Sequence, residues 1–180
     1  FHRCLGSSRG PSRPAAAALP DGGAMVIGGT CMGNRSAPWI GGAGNDDIYH
    51  TSVEVLAADG SGWSALAPMG AERNMPAAAV LPCGKVLVAG GFDGASFLDT
   101  AELWDPATGA WSDLPPMAEE RGGSPAACVL PCGRVAVVGG QGTRPHLPAP
   151  GCFHTLRPPH ACEVFDPRSA GAVSGKSVDL

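Results

Sequence analysis

Apolar residues along this chain fall in short runs closed by glycine or proline, and no stretch holds a 3.6-residue period long enough for a helix. One run is Pro14-Ala15-Ala16-Ala17-Ala18-Leu19-Pro20, and it returns as Pro76-Ala77-Ala78-Ala79-Val80-Leu81-Pro82 and as Pro125-Ala126-Ala127-Cys128-Val129-Leu130-Pro131. Each copy leads without a gap into a turn and a second apolar run ending in a glycine pair: Gly28-Gly29, Gly90-Gly91 and Gly139-Gly140. Three ungapped copies of sixteen residues make an internal repeat, and a repeat decides architecture before any single element does.

The second half of each unit repeats more loosely. Ser52-Val53-Glu54-Val55-Leu56 matches Thr100-Ala101-Glu102-Leu103-Trp104-Asp105-Pro106 and Ala161-Cys162-Glu163-Val164-Phe165-Asp166-Pro167. A fourth run opens at Trp63 and at Trp111, each followed by Pro-Met, whereas Val173 stands at that place in the third unit. The step is 49 residues from Pro76 to Pro125 and 62 from Pro14 to Pro76. Four strands of about five residues in a repeat of about fifty predict an all-β fold, with each unit one four-stranded blade of a β-propeller. The expected organisation is a tail or the end of a preceding blade at 1–12, then repeats over 13–175 and a tail at 176–180. Within the repeats, blade one covers 13–69 with a long loop at 30–51, blade two 70–117, and blade three 118–175 with a proline-rich loop at 141–160.

Gly-Gly, then Glu-x-x-Asp-Pro, then Trp, then Pro-Met and Arg resembles the kelch repeat, and Phe92 to Pro106 is particularly similar to blades of kelch-like adaptor proteins. The resemblance covers about residues 13 to 175 and extends to galactose oxidase-like propellers. It implies that the alanine strand before each glycine pair lies innermost, where a wedge-shaped blade needs small side chains. The glycine pairs allow positive φ or close backbone approach. Trp63 and Trp111 are expected to fill the seams between blades, at roughly 3–5 kcal/mol each on truncation. Glu54, Glu102 and Glu163 are expected to hold a structural hydrogen bond or ion pair within the blade. The resemblance also places partner binding on loops at one face, with Arg73, Asn74, Phe92, Asp93 and Arg121 as contacts for an acidic or mixed peptide. The competing reading has the arginines bonding loop carbonyls between blades.

Composition narrows the function classes. Glycine (27) and proline (18) are abundant because they punctuate strands. A net charge of −4 with no Lys/Arg-rich stretch gives no support for nucleic-acid or anionic-membrane binding. No apolar run approaches the roughly 20 residues of a membrane helix. Seven cysteines, without the spacing of a small secreted scaffold, suggest a reducing compartment and a cytoplasmic setting. Cys83 and Cys132 occupy equivalent turns and are expected as free thiols. Cys152, His154, His160 and Cys162 form a weak zinc candidate, since Cys-x-His is tighter than usual ligand spacing and Cys162 falls in a strand pattern.

Copper-radical sugar oxidases share the Leu-Pro-Asp-Gly turn, but their chemistry needs two tyrosines, and this chain has only Tyr49. No nucleophile elbow, metalloprotease or phosphate-cradling motif is present, so no enzyme activity and no cofactor are expected. Closed kelch propellers have about five or more blades, so three read as part of a longer protein, as does the start at Phe1. The expectation is a protein-interaction module with another protein or peptide as partner, for example recruiting substrate to a cullin-type ubiquitin ligase. The alternative is a piece of an extracellular galactose oxidase-like or carbohydrate-binding propeller.

Overall fold

Glycine and proline stop each apolar run before it reaches six residues, so the backbone forms short strands, all paired antiparallel. A computed structural model describes residues 12–31, 47–142 and 163–165. The first sheet is built from β1 (Ala15–Ala18), β2 (Ala24–Ile27), β5 (Val53–Leu56) and β6 (Trp63–Ala65), in the order β1-β2-β5-β6. Between β2 and β5 stand β3 (Thr30–Cys31) and β4 (Ile48–Tyr49), a two-residue pair that opens and closes the long loop. The second sheet runs β7 (Ala77–Val80), β8 (Val86–Ala89), β9 (Ala101–Asp105) and β10 (Ala110–Leu114), each hydrogen-bonded to the next. The third contains β11 (Ala126–Val129), β12 (Val135–Val138) and β13 (Glu163–Phe165). Its fourth strand, expected near Val173, lies outside the described residues.

Register repeats as closely as sequence. Glu54 sits opposite Val26, Glu102 opposite Val88, and Glu163 opposite Val137. Strand β7 lies beside both β1 and β11, so the alanine strands converge where the three sheets meet. Small side chains permit that approach.

Side-chain alternation along the middle sheet builds two seams. Val86 and Val88 of β8, with Trp104, pack against Ala15, Ala17, Met25, Ile27 and Val53 of the first sheet. The intervening Leu87 and Ala89, with Leu103, pack against Val135 and Val137 of the third. A strand sandwiched between two sheets must be apolar on both faces, and all four β8 residues are buried. The end sheets show the converse: Ala16 and Ala18 of β1 and Val138 of β12 face solvent. Three propeller blades are therefore stacked face to face without closing a ring. Trp111 half-fills the first seam, where its indole N–H donates to the Ala67 carbonyl across it at 2.8 Å. Trp63, the equivalent on the outer sheet, is half-buried and belongs to neither core cluster.

Glycine is required at the first position of each pair by its backbone, and at two of the three by space as well. Gly28, Gly90 and Gly139 have φ of 64°, 67° and 73°, in the left-handed region. In addition, a Cβ on Gly28 would collide with the Arg73 carbonyl oxygen, and one on Gly90 with that of Arg121. At Gly139 nothing described lies within 4 Å of that point. Gly90→Ala should therefore cost about 1–2 kcal/mol for the backbone plus about 1–3 kcal/mol for overpacking. Gly139→Ala should cost the backbone part alone. Urea unfolding of both variants checks this, and equal losses would contradict the seam contact.

Candidate functional site

Alternating strand directions sort the connections into two ends. The β1–β2 and β5–β6 turns and their counterparts lie at one end. The connections following each glycine pair and those joining successive blades lie at the other. Loop length and sequence differences collect at this second end, which makes it the candidate site.

Arg73 organises it. The residue is fully buried, at 0% exposure, in the connection from β6 to β7. Its backbone belongs to the first blade: the Gly29 N–H donates to the Arg73 carbonyl at 2.8 Å, and the Arg73 N–H to that of His50 at 3.2 Å. Its side chain belongs to the second. Nε and Nη2 donate to Glu102 Oε1 at 3.1 and 3.0 Å, and Nη2 also to Thr100 Oγ1 at 2.9 Å. Nη1 donates to the carbonyls of Gly90 and Thr100 at 2.8 and 3.0 Å. All five guanidinium N–H groups are thus used. Burial pulls the Arg73 pKa below its ordinary value, and the Glu102 carboxylate opposes that shift. Glu102 in turn accepts from the Gly70 and Ala71 amides at 2.7 and 3.2 Å, fixing the connection itself.

The next connection repeats the device. Arg121 is also fully buried. Its carbonyl accepts from the Gly91 amide at 2.9 Å, and its Nη1 donates to the Gly139 carbonyl at 3.0 Å. Arg73 and Arg121, expected among the partner contacts, therefore lie inside the seams, where they bond loop carbonyls between blades. Asn74 is likewise buried, at 4%. The sequence could not separate these readings because arginine four residues after Met suits both.

Backbone pairing carries the pattern across all three blades. The residue after each glycine pair exchanges both hydrogen bonds with the incoming connection: Thr30 with Ser12, Phe92 with Asn74, and Gln141 with Gly122. Positions with identical backbone thus bear Thr, Phe and Gln. Phe92 and Asp93 remain half-exposed. Asp93 Oδ1 accepts from the Ala95 and Ser96 amides at 2.8 and 2.7 Å, shaping the loop that returns Phe97 against Phe92.

Three rings form a run there. Tyr49 meets Phe92 edge-on with centroids 5.6 Å apart, and Phe92 meets Phe97 at 5.4 Å. Glycines back both ends of the run: a Cβ on Gly94 would stand 2.8 Å from the Tyr49 ring, and one on Gly122 would strike Phe97. The rings therefore span the first blade, the second, and the connection to the third. All three are half-buried, and the neighbouring Ile48 is 52% exposed. Sequence reasoning missed Phe97, Ile48 and the placing of Tyr49, because no repeated offset marks them.

Tyr49 is the single tyrosine, and among the described residues no three His, Cys, Asp or Glu side chains converge as a metal site. Cys152, His154, His160 and Cys162 lie outside the described residues. Cys83 and Cys132 are exposed free thiols, whereas Cys31 is disulfide-bonded. No helix among the described residues is long and apolar enough to cross a membrane.

The second blade, with its buried arginine, glycine pair and glutamate strand, falls in a segment matched by a known family. Residues 73–118, from the buried arginine through the second blade, match the Kelch motif. That segment carries a kelch motif. An F-box/kelch-repeat protein of Arabidopsis thaliana is 39% identical over 82 residues, which is 46% of this chain and 21% of that protein. Kelch-like protein 4 of Homo sapiens is 37% identical over 73 residues, 40% of this chain and 10% of that protein. The chain thus spans about a fifth and a tenth of the length of these two relatives. A fungal alcohol oxidase of the AA5 family, solved in complex with copper, superposes with a TM-score of 0.57 at 22% identity. That match covers 76% of this chain and 28% of the oxidase chain, and the two share the fold.

Burial raises the Tyr49 pKa above its ordinary 10.0, with Asp47, Asp93 and Glu72 adding to the effect and Arg13 opposing it. The folded state holds this proton more tightly than the unfolded state. The associated stability is therefore present below pH 10 and lost as pH rises through the tyrosine range. Since the chain has one tyrosine, tyrosinate absorbance reports it alone. The midpoint should lie above 10.0 in buffer and return to about that value in denaturant.

Proposed function

We propose that this kelch segment is a protein-interaction module that presents its glycine-pair end to a partner protein or peptide. The observation carrying the proposal is the ring run of Tyr49, Phe92 and Phe97, half-exposed on glycine-backed loops that buried arginines hold in place. Aromatic side chains on a rigid scaffold supply contact area at little entropic cost, and they are the common anchors of protein interfaces. Phe92 and Asp93 belong to this surface. Arg73, Asn74 and Arg121 serve it from beneath by fixing the loops. The finer setting we propose is substrate recruitment for a cullin-type ubiquitin ligase. The F-box in the name of the Arabidopsis relative supports that setting.

Affinity capture with the chain tests the reading when one end is altered at a time. Ile48→Ser with Phe97→Ser should reduce recovery of a bound protein roughly tenfold, as expected for loss of anchor residues. Asp59→Asn with Cys132→Ser, at the opposite end, should leave recovery unchanged. Equal recovery in both variants, or equal loss in both, would remove the glycine-pair end as the binding face.

A further inference from the structure

The described charges are divided unevenly between the two ends of the blades. At the glycine-pair end stand Asp47, Glu72, Asp93, Asp99, Glu119 and Glu120, with Arg13 as the exposed base. The two arginines that would have made this end attractive to an acidic peptide are buried. The opposite end is mixed, with Asp21, Asp59 and Asp105 beside Lys85 and Arg134, and Lys85 bonds Asp105 at 2.8 Å.

The aromatic run lies within the acidic end. Asp47, Glu72 and Asp93 are all close enough to act on the Tyr49 hydroxyl. Exposed Ile48 extends the apolar strip on one side. Ring faces carry negative quadrupole charge, so an acidic rim and an aromatic floor favour the same ligand, a cation.

Resting on the interaction reading above, we infer that the glycine-pair end binds a cationic, arginine-bearing segment of a partner protein. Its guanidinium lies over the Tyr49–Phe92–Phe97 rings, and Glu72 and Asp93 pair with its charge. Arginine suits the site better than lysine because its planar, weakly hydrated head stacks on aromatic faces. Partner recognition is then opposite in sign to the acidic peptide that the arginines suggest in the sequence.

Fluorescence anisotropy with three labelled twelve-residue peptides, Arg/Gly, Lys/Gly and Glu/Gly, provides the test. The Arg/Gly peptide should bind the chain at least about fivefold tighter than Lys/Gly, and Glu/Gly should not bind. Affinity should fall as salt rises from about 0.1 M to about 1 M, where the screening length shrinks from about 10 Å to about 3 Å. Glu72→Gln and Asp93→Asn keep an acceptor at each position and should each weaken binding roughly threefold or more. Asp59→Asn removes one charge at the far end and should change nothing. Binding of Arg/Gly no tighter than Glu/Gly would overturn the inference, as would equal weakening by Asp59→Asn. If partner capture is still lost with Ile48→Ser and Phe97→Ser while the peptides show no preference for arginine, the interaction reading stands and this one falls.

Discussion

Each blade of this propeller segment leans on the next through one residue, an arginine whose backbone and side chain belong to different blades. Arg73 gives its carbonyl to Gly29 of the first blade and its guanidinium to Gly90, Thr100 and Glu102 of the second. A buried charge is tolerable only when it is paired and its donors are satisfied, and here every N–H has an acceptor. The need for glycine follows directly. The Arg73 carbonyl approaches Gly28, and the Arg121 carbonyl Gly90, so closely that no side chain fits, and the positive φ at both places favours glycine independently. Glu102 completes the arrangement by taking the Gly70 and Ala71 amides, so the loop that delivers the arginine is held by its own ion-pair partner.

Much of this was legible in the sequence because it repeats. The alanine runs, glycine pairs and glutamates recur at fixed offsets, and the sheets preserve that register residue for residue. The third strands and their glutamates were found the same way. What could not be read was direction. An arginine beside a loop looks the same whether it faces solvent or a seam, and only the geometry showed Arg73 and Arg121 at 0% exposure. Phe97 escaped because it belongs to one blade alone. Its place depends on the Asp93 turn and on bare backbone at Gly122, two features far apart in the chain. The two-residue pair β3–β4 was hidden for a similar reason, since nothing in Thr30-Cys31 or Ile48-Tyr49 exceeds the length of a chance apolar pair.

Scaffold and surface divide the labour in a way the repeat makes visible. Positions that recur, such as Gly90, Arg73 and Glu102, are buried and bonded. Positions that share a backbone but change side chain, such as Phe92 and Gln141, are half-exposed at the loop end, whereas Thr30 is buried and donates to the Ile48 carbonyl. A rigid seam allows such variation, because the hydrogen bonds that shape the loops come from main chain and buried side chains, leaving the outward residues unconstrained. The rings of Tyr49, Phe92 and Phe97 and the carboxylates around them occupy that latitude.

Native-state hydrogen exchange on Arg73→Met tests the central claim most directly. Methionine keeps much of the volume but offers no donor, so Gly90, Thr100 and Glu102 lose their shared partner. The account predicts that the amides of Gly29 in the first blade and Gly70 in the connection lose protection together, by roughly tenfold or more. It also predicts that amides of the β11–β12 pair, away from that seam, change less. Unchanged protection at Gly29, or a loss spread evenly over all three sheets, would contradict it.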